Sequence, residues 1–290
     1  MNRRDLLAVA GTVPPALLAG CLGHTSLTGL DPVDPPEWPD EPTESAVTWY
    51  AARYRVVKTY NQTAEAQSPF FRGELVYACG GAFEADTAAG FVVNTFGTSH
   101  FTERRLWYSA HGHGVLSPEA LLVNEDETIR APLEEDSDDP PRPPYPTRGL
   151  SLVNFSPVPL DIEVSIEYID GENEGGDREN EAESTTFAEV FELEAERGRT
   201  LHEVVAEPDE YGVNVAKPGE YEVNVAVADD VTTHRWSVSD EPREATRLPV
   251  GIIGEIALGV YVLPDGSVEI HEIPEERTTE TEGISQRTAL

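Results

Sequence analysis

Leu160-Asp161-Ile162-Glu163-Val164-Ser165-Ile166-Glu167-Tyr168 alternates apolar and polar residues almost without a break. A β-strand shows successive side chains to opposite faces, so Leu160, Ile162, Val164, Ile166 and Tyr168 line one face. Asp161, Glu163, Ser165 and Glu167 line the other. The pattern returns downstream, where Tyr221, Val223, Val225 and Val227 alternate with Glu220, Glu222 and Asn224. Pro218-Gly219 and Asp265-Gly266 punctuate these runs as turns between antiparallel strands do. The stretch from Gly149 to Ile273 therefore predicts about eight half-buried antiparallel strands. Within it, Leu248 to Leu263 is apolar but is interrupted by Glu255 and ended by Pro264, which suits a buried strand better than a membrane span.

Eight such strands resemble an immunoglobulin-like β-sandwich in architecture. The Cys…Trp…Cys signature of antibody domains is absent, so the likeness extends to layout alone. Upstream, Glu134 to Pro146 is a run of acids followed by prolines and reads as a linker over 134–147. Before it, Ala46, Trp49, Tyr50, Arg53, Tyr54, Val57 and Tyr60 recur at three- and four-residue spacing, with Thr48, Arg55, Lys58 and Gln62 between them. That spacing predicts a helix over Glu44 to Ala64, capped by Thr43 or Ser45, with Arg55 on its wet face; Arg53 intrudes on the apolar stripe, and a strand over the same residues is the alternative. Strand-like runs follow at Phe70 to Phe83, Gly90 to Phe101, Arg104 to Ala110 and Ala120 to Ala131. A helix on a four-stranded antiparallel sheet is similar to the cystatin-like arrangement, by element order alone. The sequence thus predicts an α+β unit over 44–133, a sandwich over 148–273 and a disordered polar tail over 274–290.

The N-terminus carries an address. Arg3-Arg4-Asp5-Leu6-Leu7 precedes a moderately apolar run too short to span a bilayer, and resembles a twin-arginine export motif. Leu18-Ala19-Gly20-Cys21 resembles a lipobox, which implies cleavage of residues 1–20 and acyl chains on Cys21. Residues 21–43, Pro-rich and acidic, then read as an extended spacer from the outer face of the membrane.

Fifty-four acidic residues against 20 basic ones give a formal net charge of −34, and Lys58 and Lys217 are the only lysines. Such an excess repels itself in dilute buffer but is screened at molar salt, where the Debye length is ~3 Å. Acid excess, scarce lysine, the twin-arginine pair and the lipobox together resemble the lipoproteins of halophilic archaea. The charge opposes nucleic-acid binding, which needs a basic patch. With Cys21 assigned to lipid, Cys79 is a lone cysteine and reads as a small buried apolar residue. Blue-copper chemistry is excluded, because no histidine closely follows Cys79 and the only methionine is Met1.

Candidate sites are few. His100, His111 and His113 lie close in sequence, and His111 and His113 would share a strand face, a spacing that permits zinc or copper. Gly112 and Gly114 instead suggest solvated turn histidines. Asp170, Glu172, Glu174 and Glu181 have the spacing of a calcium loop, although glutamate is long for its third and fifth positions and Arg178 occupies the ninth. Asn61-Gln62-Thr63 and Asn154-Phe155-Ser156 are glycosylation sequons. There is no nucleophile elbow, phosphate loop or cofactor motif. The expectation is a non-catalytic surface module that binds a protein or surface ligand. The alternative is a metal-dependent hydrolase or oxidase built on the three histidines.

Overall fold

The computed structural model describes residues 30–66, 73–104, 109–135, 149–169, 185–201, 204–208, 214–216, 218–239, 247–248, 251–252, 256–274 and 277–287. Among the described residues one helix, α1 (Glu44–Ala66), precedes four long strands: β1 (Gly73–Thr87), β2 (Gly90–Arg104), β3 (Ser109–Val123) and β4 (Thr128–Glu135). Then come β5 (Gly149–Asn154), β6 (Leu160–Ile169), β7 (Thr185–Leu193), β8 (Arg197–Leu201), β9 (Ala206–Pro208) and β10 (Asn214–Ala216). The chain continues through β11 (Gly219–Val227), β12 (Asp230–Val238), β13 (Arg247–Leu248), β14 (Gly251–Ile252), β15 (Ile256–Val262), β16 (Val268–Glu272) and β17 (Thr279–Arg287).

Nine strands form one mixed sheet in the order β16-β15-β5-β8-β4-β3-β2-β1-β17, and four form an antiparallel sheet in the order β12-β11-β6-β7. The alternating strands behave as their pattern dictates. β6 and β11 pair antiparallel with Val164 opposite Val225 and Ile166 opposite Val223, which places Ile162, Val164, Ile166, Tyr221, Val223, Val225 and Val227 on one face. That face packs with Phe191 and Trp236 against Leu150, Leu152, Leu258 and Val260 of β5 and β15. Two β layers thus share a core, as in a sandwich. β15 is buried along its whole length, which accounts for its unbroken apolar run. The hairpin from β15 to β16 turns on Asp265-Gly266, where Gly266 takes a φ of 88° and Asp265 accepts bonds from the backbone and hydroxyl of Ser267.

The large sheet supplies two layers. Its β1–β4 half carries α1 on one face, over Leu75, Tyr77 and Cys79 near one end and Phe83, Val93 and Leu121 near the other. On the opposite face Ala85, Val92 and Leu122 meet Phe155, Tyr261 and Leu263. The sheet therefore folds back on itself through the parallel pair β4–β8. The layers run α1, β1–β4, β5 with β15, then the four-stranded sheet.

Three expectations are corrected. First, 44–133 and 148–273 are not separate bodies, because one sheet runs through both and a buried cluster joins them. The expected linker also begins late, since Glu134 and Glu135 pair with Arg199 and Thr200; residues 136–148 lie outside the described residues. Second, much of the expected tail is β17, which pairs antiparallel with β1. It reads as polar because it is an edge strand with one buried apolar residue, Ile284. Its glutamates are occupied: Glu280 accepts from Ser45, and Glu282 from Trp49 and Arg53. Third, the spacer after 30 does not stand off the body. Leu30 is buried against Val56, Tyr60 and Ile284, Asn61 bonds both the N–H and the C=O of Val33, and Trp38 packs edge-on against Tyr50.

The helix exists where its period places it, but rotated. Thr43 is its cap, accepting from the backbone N–H of Ala46 at 3.3 Å. Thr48 and Arg55, expected on the wet face, are buried, whereas Trp49 is 39% exposed. Small residues fix the rotation. Ala51 and Ala52 admit close approach, and a Cβ on Gly81 would stand 2.9 Å from the Thr48 carbonyl oxygen. Arg55 is buried because the β2–β3 register shifts between Thr95 and Gly97, which leaves carbonyls beside the helix for it to bind.

Candidate functional site

The three histidines share one surface. β2 and β3 pair with His100 opposite His113 and Thr102 opposite His111, so all three imidazoles rise from the same face. His100 also stands opposite Val76 of β1, whose neighbours Leu75 and Tyr77 point toward α1, so the histidine face is the one turned away from the helix. His111 and His113 are exposed and His100 is half-buried. The expected glycine-rich turn is instead the interior of β3. Gly112 is accommodated because the Phe101 ring of β2 lies where its side chain would be.

His100 and His113 stack with ring centroids 4.5 Å apart and planes inclined by 30°. His111 Nδ1 lies 3.3 Å from the Thr102 hydroxyl. Elsewhere in this acidic chain histidines take carboxylate partners: His271 pairs with Glu269 at 2.8 Å and His234 with Glu272 at 3.5 Å. Among the described residues, no group of three or more histidine, cysteine or acidic side chains converges as metal ligands. The structure thus brings His100 and His113 together and leaves His111 beside them.

Two buried ionic clusters escaped the sequence reading. Glu84, fully enclosed at the β1 bulge, accepts from Tyr261 at 3.0 Å and Asn94 at 3.3 Å, and faces Arg277 at 3.5 Å. Burial pushes its carboxyl up, while Arg277 and the two hydrogen bonds pull it down. Burial and the Glu84 charge push the Tyr261 phenol well up. Arg277 also donates to the Ile256 carbonyl, so this cluster ties β1, β15 and the approach to β17 together. With the Glu84 side chain at 0% exposure, no substrate reaches it, and its role is structural.

In the second cluster, Arg55 donates to the carbonyl and hydroxyl of Thr95 and to the Ser117 carbonyl, and lies 3.7 Å from Glu119. Burial lowers the Arg55 pKa and the Glu119 charge opposes that. Arg130 grips the same carboxylate with bonds of 2.7–3.0 Å. Nearby Cys79 is buried, and its thiol is pushed up to about 11, which makes it inert packing.

Both sequon asparagines are engaged. Asn61 Nδ2 donates to Val33 O at 2.8 Å. Asn154 is fully buried; its Nδ2 donates to the carbonyls of Val158, Leu193 and Glu194, while its Oδ1 accepts from the N–H and hydroxyl of Ser156. Each sequon is a structural bracket in the folded chain. Arg3, Arg4 and Cys21, and the acidic loop Asp170, Glu172, Glu174 and Glu181, lie outside the described residues. Among the described residues no helix is long and apolar enough to cross a membrane. No family model, curated protein or solved structure matches this chain.

Proposed function

We propose that this chain is an exported lipoprotein, held to the outer face of the cytoplasmic membrane through Cys21 and working as a non-catalytic binding or scaffolding module in high salt. The observation that carries the reading is the Leu18-Ala19-Gly20-Cys21 triplet-plus-cysteine behind Arg3-Arg4, with a packed body beginning at Leu30. Two acyl chains, each methylene contributing ~0.8 kcal/mol, would hold it without a spanning helix. Within this reading the helix on β1–β4 is a cystatin-like element and the two-layer core beyond it an immunoglobulin-like one. Both are elaborated, the first by β17 and the second by strands shared with the large sheet. An enzyme using His100, His111 and His113 would need all three imidazoles on one point, and among the described residues no such convergence supports it.

Membrane fractionation of the parent and Cys21→Ser tests the anchor. The expected result is loss of the variant from the membrane or retention of its signal peptide. A variant processed and fractionated like the parent overturns the lipoprotein reading.

A further inference from the structure

We infer that His100 and His113 form a two-histidine chelate for a late first-row transition cation, with Cu2+ the preferred ion. The register makes them direct cross-strand partners, and their stacked rings are already 4.5 Å apart. Two metal–nitrogen bonds of ~2.0–2.1 Å at a right angle need ring nitrogens about 3 Å apart with their lone pairs converging, so both imidazoles must swing out of the stack about χ1 and χ2 to share an ion. β2 and β3 fix the two Cα positions through a ladder unbroken from Gly97 to Arg104, so only the two side chains remain for the ion to order. No described carboxylate pairs with either ring, unlike His234 and His271, so no ion pair has to be broken before a metal binds. Imidazole nitrogen selects copper, nickel and zinc over the oxygen-seeking calcium and magnesium that a surface rich in carboxylates otherwise attracts. Coordinate bonds are also not screened by molar salt as an ordinary ion pair is. His111 sits two residues along the same face, but its Nδ1 is turned to Thr102, so it flanks the chelate. The inference does not depend on the lipid anchor, and a negative result with Cys21→Ser leaves it standing.

The test is titration calorimetry of the purified full chain with Cu2+ in concentrated sodium sulfate, which maintains screening without chloride competing for the metal. Ca2+ serves as the carboxylate control, and copper electron paramagnetic resonance provides an independent readout. One saturable Cu2+ site is expected, with nitrogen hyperfine structure from two imidazoles and no matching Ca2+ isotherm. His100→Gln with His113→Gln should weaken that site by more than about tenfold, and His111→Gln by well under tenfold. Circular dichroism confirms that these surface variants stay folded. An unchanged isotherm in the double variant, an oxygen-only spectrum, or an equal loss in His111→Gln overturns the assignment.

Discussion

Replacing Arg277 by alanine removes the only cation facing Glu84 among the described residues and leaves a fully enclosed carboxyl behind. At 3.5 Å and an effective dielectric near 20, their attraction is about 5 kcal/mol, and breaking such buried pairs costs about 3–5 kcal/mol. The carboxyl can escape by taking a proton, which makes the loss depend on pH. Burial raises Glu84 above its ordinary value of 4.5, so the folded state holds that proton more tightly than the unfolded state. Stability is therefore fully present below the unfolded value and is lost as pH climbs through the folded one. Arg277 limits this loss by pulling the folded value down, and Arg277→Ala extends the window upward. The variant should lose up to about 3–5 kcal/mol where the parent's Glu84 is charged, and the deficit should shrink on acidification as the carboxyl takes its proton. Urea unfolding at fixed high salt, followed by tryptophan fluorescence, measures this without altering ionic strength. Adding Glu84→Gln keeps an acceptor for Tyr261 while removing the charge, so the double variant should recover most of the loss. A deficit independent of pH, or a double variant as unstable as the single one, refutes the account.

Other outcomes follow from the same structure. Stability should rise steeply with sodium chloride as the Debye length falls from ~10 Å at 0.1 M to ~3 Å at 1 M, because the net charge is −34. A melting temperature unchanged between 0.1 M and 3 M would contradict this. Asn154→Ala removes a side chain bonded to three carbonyls and to Ser156, and should cost at least about 2 kcal/mol in urea unfolding. Ending the chain after Pro274 deletes β17 and Arg277 together and should give an aggregating product. A monomeric truncated chain with parental stability would restore the disordered-tail reading.

The alternating strands were legible because period-two burial is local: β6 and β11 announce their inner faces residue by residue. The helix was legible as an element but not in its rotation, since burial of Arg55 depends on carbonyls exposed at the β2–β3 bulge, far away in sequence. β17 was hidden because an edge strand on a charged surface needs only Ile284 inside. The union of the two expected units was hidden for a different reason. The parallel pairing of Leu133 with Gly198 joins segments that share no local signal. At the histidine site, the common face of His111 and His113 followed from spacing alone. The stacking of His100 on His113 required the register. Glu84 could not be singled out in a chain with 54 acids, because only burial distinguishes it.

With lipid on Cys21, as proposed, Leu30 would set how far the body can wander. Between Cys21 and Leu30 the chain has nine Cα steps, so at ~3.3–3.6 Å each the leash is at most about 30 Å long. Its fastening point is defined: Asp31 exchanges bonds with Gln286, which lies in the same sheet row as Leu75, Phe101 and Gly112, one row from the stacked histidines. With lipid on Cys21, the histidine-bearing end of β2 and β3 is the end moored beside the bilayer. Partners embedded in that bilayer would meet it at millimolar effective concentration, whereas soluble ones would meet it only at their bulk concentration.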